Sequence, residues 1–260
     1  MTASTVVRGW QIAERVGAKL NPKSGYKSGV CIYVNPQLGK KSDFKFEGKS
    51  QFLDILDRLD LVPILKKHPK LSVIACSEID YIGLAEMLAT QALTNKIVLI
   101  PQHHCNYDRE IRTRKKITTV GVIGTQHTFK YLPGDLAPQL TKRGIQLLKS
   151  SKILKRQDVI DFYKNIDLQI VWRPWRKKLA SPLDIVNAAS FGIPTIALEE
   201  PFFKEMGNCY IPVSNFNEFL ARLDALRLPT TLYDNYSKLC LQKAERYHIE
   251  NIAKLYKALT

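Results

Sequence analysis

Short β-branched runs alternate with helical segments along the chain, and no feature narrows its fold more. Gly29–Val34, Leu71–Cys76, Lys96–Ile100, Thr118–Gly124, Ile145–Leu148, Leu168–Trp172, Pro194–Leu198 and Cys209–Val213 read as strands. Most are near-continuous apolar runs, the pattern of strands buried on both faces. Between them, helical spacing predicts Val6–Leu20, closed by Asn21-Pro22, then Phe52–Leu65, and a helix from Ser77-Glu78-Ile79-Asp80 to about Leu93. It also predicts Gln157–Lys164, Ser181–Phe191, Asn215–Leu226, and a terminal Leu232–Leu259 with a break near Tyr247. Such alternation implies an α/β fold of parallel sheets covered on both faces. At 260 residues the chain has room for two Rossmann-like halves, and the Arg-rich passage DREIRTRKK marks the boundary between residues 1–113 and 114–260.

Composition excludes several classes. No apolar run reaches the length of a membrane span, and MTASTVVRGW lacks the apolar core of a signal peptide. Five scattered cysteines, with no C-x-x-C pair, argue against a zinc site or a disulfide framework and for a reducing, cytoplasmic setting. The net charge is +15. Up to Lys116 there are 19 basic and 11 acidic residues, and beyond it 20 and 13, so the excess is no tail. A field of this sign attracts nucleotides, nucleic acid and anionic headgroups, and equally serves solubility.

Familiar motifs fail. Gly48-Lys49-Ser50 lacks the glycine a phosphate loop needs five positions earlier, where Asp43 stands, and no G-x-S-x-G elbow occurs. The most informative stretch is SPLDIVNAASFGIPTIALEE, residues 181–200. Ser181 can cap a helix, Pro182 suits the first helical position, and Leu183 follows. A helix start with free N–H groups attracts anions. Upstream, the strand LQIVW leads into Arg173, Arg176, Lys177 and Lys178. Strand, basic loop and capped helix make a diphosphate cradle, or equally an ordinary βαβ unit with a solvated basic loop. His103-His104 could supply a base near neutral pH or serve as polar residues bonded to backbone. Asp54 and Asp57, on the Phe52–Leu65 helix, are weaker candidates. The segment His127–Tyr131 shapes a pocket or packs a loop.

Asn187-Ala-Ala-Ser-Phe-Gly-Ile-Pro-Thr-Ile-Ala197 resembles the donor motif E-A-M-A-x-G-x-P-V-I-A of GT-B fold glycosyltransferases. Ser77 after SVIAC, Ile100–Cys105 at the junction, Val120–Gly124 and Val6–Gly9 resemble further family pieces in the same order. The resemblance implies two Rossmann-like domains, an acceptor half and a donor half, with a nucleotide-sugar site in the C-terminal domain facing the cleft between them. It implies transfer of a sugar from a nucleoside-diphosphate donor to an acceptor hydroxyl, with no cofactor and no metal. On this reading Gly124, Lys130, Ser181, Pro182, Leu183 and Asn187, with Arg173, Arg176 and Lys178 of the basic loop, bind the donor. The family's N-terminal histidine has no counterpart here, and His103 and His104 are candidate bases on their own chemistry. The family's paired glutamates are replaced by Leu179 and Asn187, and Asn187 can bond a ribose hydroxyl without supplying charge. The acceptor implied first is a lipid-linked glycan or wall polymer, reached through peripheral membrane contact, with DNA second. The rival readings are a non-catalytic nucleotide- or nucleic-acid-binding protein on this fold and a sugar-nucleotide epimerase on paired Rossmann domains.

Overall fold

In a computed structural model of the chain, residues 5–36, 45–54, 61–113, 116–151, 155–173, 181–229 and 231–260 are described. The described residues form an α/β structure with two parallel sheets, one of four strands and one of five.

The four-stranded sheet comprises β1 (Val30–Val34), β2 (Ser50–Asp54), β3 (Ser72–Ala75) and β4 (Ile97–Leu99), in that order. Thr5–Trp10 winds as a π-helix and continues into α1 (Gln11–Val16). Helix α1 ends where Gly17 takes a left-handed φ of 73°, and Ala18 N–H closes on Ala13 C=O. The helix therefore stops short of the Asn21-Pro22 expected to end it. The predicted helix Phe52–Leu65 is corrected: its first residues are β2, paired on both sides, and only α2 (Val62–Lys67) is helical. Phe52, Leu53 and Asp54 are all buried, so both faces of this inner strand are covered, and Phe52 and Leu53 also fit the helical spacing of the residues after them. Asp57 lies outside the described residues. In α3 (Glu78–Thr90), the Ser77 hydroxyl accepts from Asp80 N–H at 3.1 Å, the expected helix start. Leu53, Leu65, Leu71, Val73 and Leu88 make the core of this sheet.

The second sheet comprises β5 (Thr119–Ile123), β6 (Gln146–Ser150), β7 (Leu168–Val171), β8 (Thr195–Leu198) and β9 (Tyr210–Val213), in spatial order β6-β5-β7-β8-β9. Helices α4 (Gln126–Phe129), α5 (Leu136–Lys142), α6 (Arg156–Lys164), α7 (Leu183–Ser190), α8 (Phe216–Arg227) and α9 (Leu232–Ala244) intervene or follow. The expected break near Tyr247 is a 3₁₀ turn, Glu245–Tyr247, before α10 (Ile249–Lys257). One hydrophobic cluster joins Val120, Val122, Leu168, Ile170 and Ile196 to Phe219 and Leu223; another joins Phe162, Tyr163 and Ile166 to Phe191 and Ile193.

Chain contacts divide the molecule into two compact units: Met1–His103 with Ile249–Thr260 and Ser181, and His104–Arg176 with Pro182–His248. Helix α10 belongs to the first unit, where it packs on α1.

Two glycines in the second sheet's unit are required by their surroundings. At Gly192, φ is 72°, and Ile193 N–H bonds Ala188 C=O while Gly192 N–H bonds Ala189 C=O, the paired bonds that end a helix in the left-handed region. That explains the glycine between α7 and β8. At Gly121, in mid-strand, a Cβ would sit 2.5 Å from Ile166 Cγ2 and 2.7 Å from Phe162 Cζ. Gly121→Ala should force α6 off the sheet and destabilise the protein by about 1–3 kcal/mol. A urea midpoint unchanged from wild type would contradict that packing.

Candidate functional site

The order of the five-stranded sheet positions the site. Counted from β5, the strands run second, first, third, fourth, fifth, so the winding direction reverses between β5 and β7. In open parallel sheets ligands lie beyond the C-terminal strand ends at such a reversal. Strand β5 ends at Ile123, followed by Gly124, and β7 ends at Val171, two residues before Arg173. Two of the residues expected to bind the donor thus close the two strands that flank the reversal.

Gly124 donates its N–H to Ser150 C=O at 3.0 Å, tying the strand end to β6. A Cβ there would meet Thr128 Oγ1 at 2.7 Å, so the glycine lets α4 fold back on the strand. Lys130 is exposed at the C-terminal end of α4. Beside it, His127 and Tyr131 share a 3.0 Å hydrogen bond with rings edge to face, while Phe129 packs on the hydrophobic core.

Arg173 is held within the protein. Its Nη1 donates to Asp184 Oδ2 at 2.7 Å and its Nε to Glu200 Oε1 at 3.1 Å. Burial alone would favour the neutral guanidine, but Asp184 and Glu200 outweigh it and keep the side chain charged. Burial also pushes the Glu200 carboxyl above its usual range, against the pull of Arg173. Glu200 is buried, and its Oε2 finds no donor among the described residues. Sequence reasoning gave neither acid a role, and the signal present is the Glu199-Glu200 pair just past β8.

The expected cap is corrected. Pro182 occupies the N-cap position of α7, which begins at Leu183, with no side-chain cap bond. Ser181 Oγ is buried without a partner among the described residues. Proline has no side-chain acceptor, so the first N–H groups of α7 are not capped by that residue. Arg176, Lys178 and Leu179 lie outside the described residues.

Asn187 is 9% exposed, and its Oδ1 accepts the Cys105 N–H at 2.9 Å. Asn106 reinforces that join, donating from Nδ2 to Ser190 C=O at 2.7 Å. Replacing Asn187 by Ala would leave the Cys105 N–H without this acceptor, so the change should cost stability. His103 and His104 are 2% and 3% exposed. His103 Nε2 lies 2.9 Å from Val7 C=O. His104 Nδ1 accepts from Asn106 N–H at 3.2 Å, and its backbone N–H bonds Tyr247 C=O. Both are buried with ring nitrogens on backbone groups, the second of the two roles the sequence left open.

A cavity of about 730 Å³ lies elsewhere in the same unit, lined by Lys116, Ile117, Thr118, Leu226, Leu228 and Tyr233 among others. It opens at the N-terminal end of β5, away from Gly124. Topology, more than cavity size, identifies the ligand end of an open sheet.

No family model matches the chain, and no curated protein matches it. Solved structures share its fold. One chain of the GtfA/B complex superposes with a TM-score of 0.55 at 13% identity, covering 80% of this chain and 52% of that one. The structure of accessory secretory protein 1, 2 and 3 in Streptococcus pneumoniae gives 0.56 at 13%, covering 82% and 49%. The trehalose-6-phosphate phosphatase N-terminal domain of Candida albicans gives 0.53 at 11%, covering 84% and 70%. The chain spans about half the length of the first two. The likeness is one of fold.

Proposed function

We propose that the chain is a GT-B type glycosyltransferase, moving a sugar from a nucleoside-diphosphate donor to an acceptor hydroxyl without a divalent metal. Residues 1–113 supply the acceptor half and 114–260 the donor half, except that residues 104–113 group with the second unit and α10 with the first. The observation that carries this reading is the placement of Gly124 and Arg173 at the strand ends flanking the reversal in the five-stranded sheet. The helix–turn–strand of α7 and β8, with its left-handed Gly192, supports it by matching the form of the donor motif. The start of α7, whose N-cap proline has no side-chain acceptor, supplies N–H groups for phosphate. Because Arg173 already faces two carboxylates, Lys130, Arg176 and Lys178 are the cations assigned to the diphosphate. Positive charge aimed at that leaving group stabilises its departure. The acceptor is a lipid-linked glycan or wall polymer, approached at a membrane surface from the cytoplasm, with DNA the second choice. Among the described residues no helix is long and apolar enough to cross a membrane.

A second reading is favoured by one observation: both candidate bases, His103 and His104, are buried against backbone. It makes the chain a non-catalytic binder of nucleotide or nucleic acid on the same fold. Release of nucleoside diphosphate from UDP-, GDP-, ADP- and CDP-sugars, with and without EDTA, separates the two. A transferase should release diphosphate equally in both conditions. Thermal stabilisation by nucleotide without release would establish the binder, and a strict manganese or magnesium requirement would refute metal independence.

A further inference from the structure

Glu200 is a buried carboxylate of the second sheet's unit with one oxygen unpaired among the described residues. It follows β8 at the C-terminal side of the sheet, and its residue exposure is 1%. Arg173 fixes Oε1 through its Nε, leaving Oε2 buried with no donor among the described residues. Buried polar atoms in folded proteins are overwhelmingly paired, so a carboxylate oxygen without a donor among the described residues, at the ligand end of a sheet, is open to a donor from a bound molecule. The charges around it say which donor. Arg173 faces Asp184 as well as Glu200, so two carboxylates oppose one guanidinium. That surplus of negative charge repels phosphate and accepts a neutral hydroxyl. Burial also raises the Glu200 carboxyl above its usual range, so at neutral pH the ionised group works against folding.

We propose that Glu200 Oε2 is the hydroxyl acceptor of the donor site, bonding a hydroxyl of the nucleotide sugar, from either its ribose or its transferred sugar. The inference rests on the glycosyltransferase reading above and deepens it. It divides the site in two: the diphosphate is met by cations outside the Arg173 cluster, and the cluster itself reads hydroxyl groups. Glu200 is thereby a binding residue, and Arg173 and Asp184 are positioning residues that aim it.

Calorimetry on the full chain tests this, beginning with UDP, GDP, ADP and CDP against wild type. The nucleotide that binds is then compared with its 2′,3′-dideoxy form and with its glucose conjugate. Wild type should lose about tenfold or more in affinity on loss of the ribose hydroxyls, or gain as much from the sugar. The first result assigns the bond to ribose and the second to the transferred sugar. Glu200→Gln should abolish most of that discrimination, while Glu199→Gln, an exposed neighbour outside the Arg173 cluster, should keep it. The same discrimination in Glu200→Gln as in wild type would overturn the proposal, even with nucleotide bound. So would a wild-type protein that discriminates in neither comparison, a result needing no variant to fold. Failure of all four nucleotides to bind wild type would remove the function reading and this inference together.

Discussion

Asp54→Ala is expected to destabilise the protein by about 3–5 kcal/mol, the largest loss anticipated for a single side chain in the first unit. Asp54 is wholly buried, at the end of β2. Its Oδ1 accepts from Arg8 Nε at 2.7 Å and its Oδ2 from the Tyr256 hydroxyl at 2.6 Å. Arg8, itself 2% exposed, also donates Nη2 to Ile100 C=O at 3.0 Å. The Arg8–Asp54 pair therefore joins the π-helix, β2, the residue after β4 and α10. Burial works against the Arg8 charge, and Asp54 is the main influence that restores it. Removing the carboxylate leaves a buried guanidinium unpaired, and that loss exceeds the value of the pair itself. The double variant Arg8→Met with Asp54→Leu should recover most of the loss. Urea denaturation of the three proteins decides. A loss below about 1 kcal/mol for Asp54→Ala would mean the buried pair does not exist.

That cluster also shows where the sequence was legible and where it was not. The strands of the second sheet were readable because LQIV and TIAL are short, apolar and bounded by polar or turn residues, and a parallel strand buried on both faces has no other look. Gly192 was readable because a glycine between a helical and a β-branched run has few uses besides a left-handed turn. Strand β2 was misread because Phe52 and Leu53 fall in step with the apolar positions after them, a spacing that fits a helix, and only the strand's two partners decide. The site was half legible. Gly124 and Arg173 could be placed because strand ends carry ligands in this class of sheet. The partners of Arg173 could not, since Asp184 lies 11 positions away and Glu200 lies 27, and nothing local marks either as its counter-ion. Asn187 had a legible position on its helix, but its bond to the Cys105 backbone depends on a segment 82 residues earlier.

The Arg173 cluster yields the second large effect, and it changes how a binding experiment must be read. Read as a donor-binding residue, Arg173 gives the expectation that Arg173→Ala weakens nucleotide binding. In the structure Arg173 is the only cation seen on the Glu200 carboxylate among the described residues. Its loss leaves Glu200, with a side chain 2% exposed, beside Asp184, which is 32% exposed. Breaking a buried pair costs about 3–5 kcal/mol, and solvent at Asp184 places this case near the lower end, about 3 kcal/mol at neutral pH. The pH dependence identifies the cause. Burial already raises the Glu200 carboxyl and Arg173 opposes the rise, so without Arg173 the folded-state value climbs further. A carboxyl raised on folding contributes stability that is present below its unfolded value and lost as pH rises through the folded one. The deficit of Arg173→Ala against wild type should therefore be small at about pH 4, where the carboxyl is largely protonated in both states, and full at about pH 8. Adding Glu200→Gln should remove most of the deficit at the higher pH. Thermal unfolding at both pH values, with circular dichroism to establish folding, is the measurement. Equal deficits at the two values would show that an unpaired Glu200 is not their source, and Arg173 would return to the list of side chains free to meet phosphate.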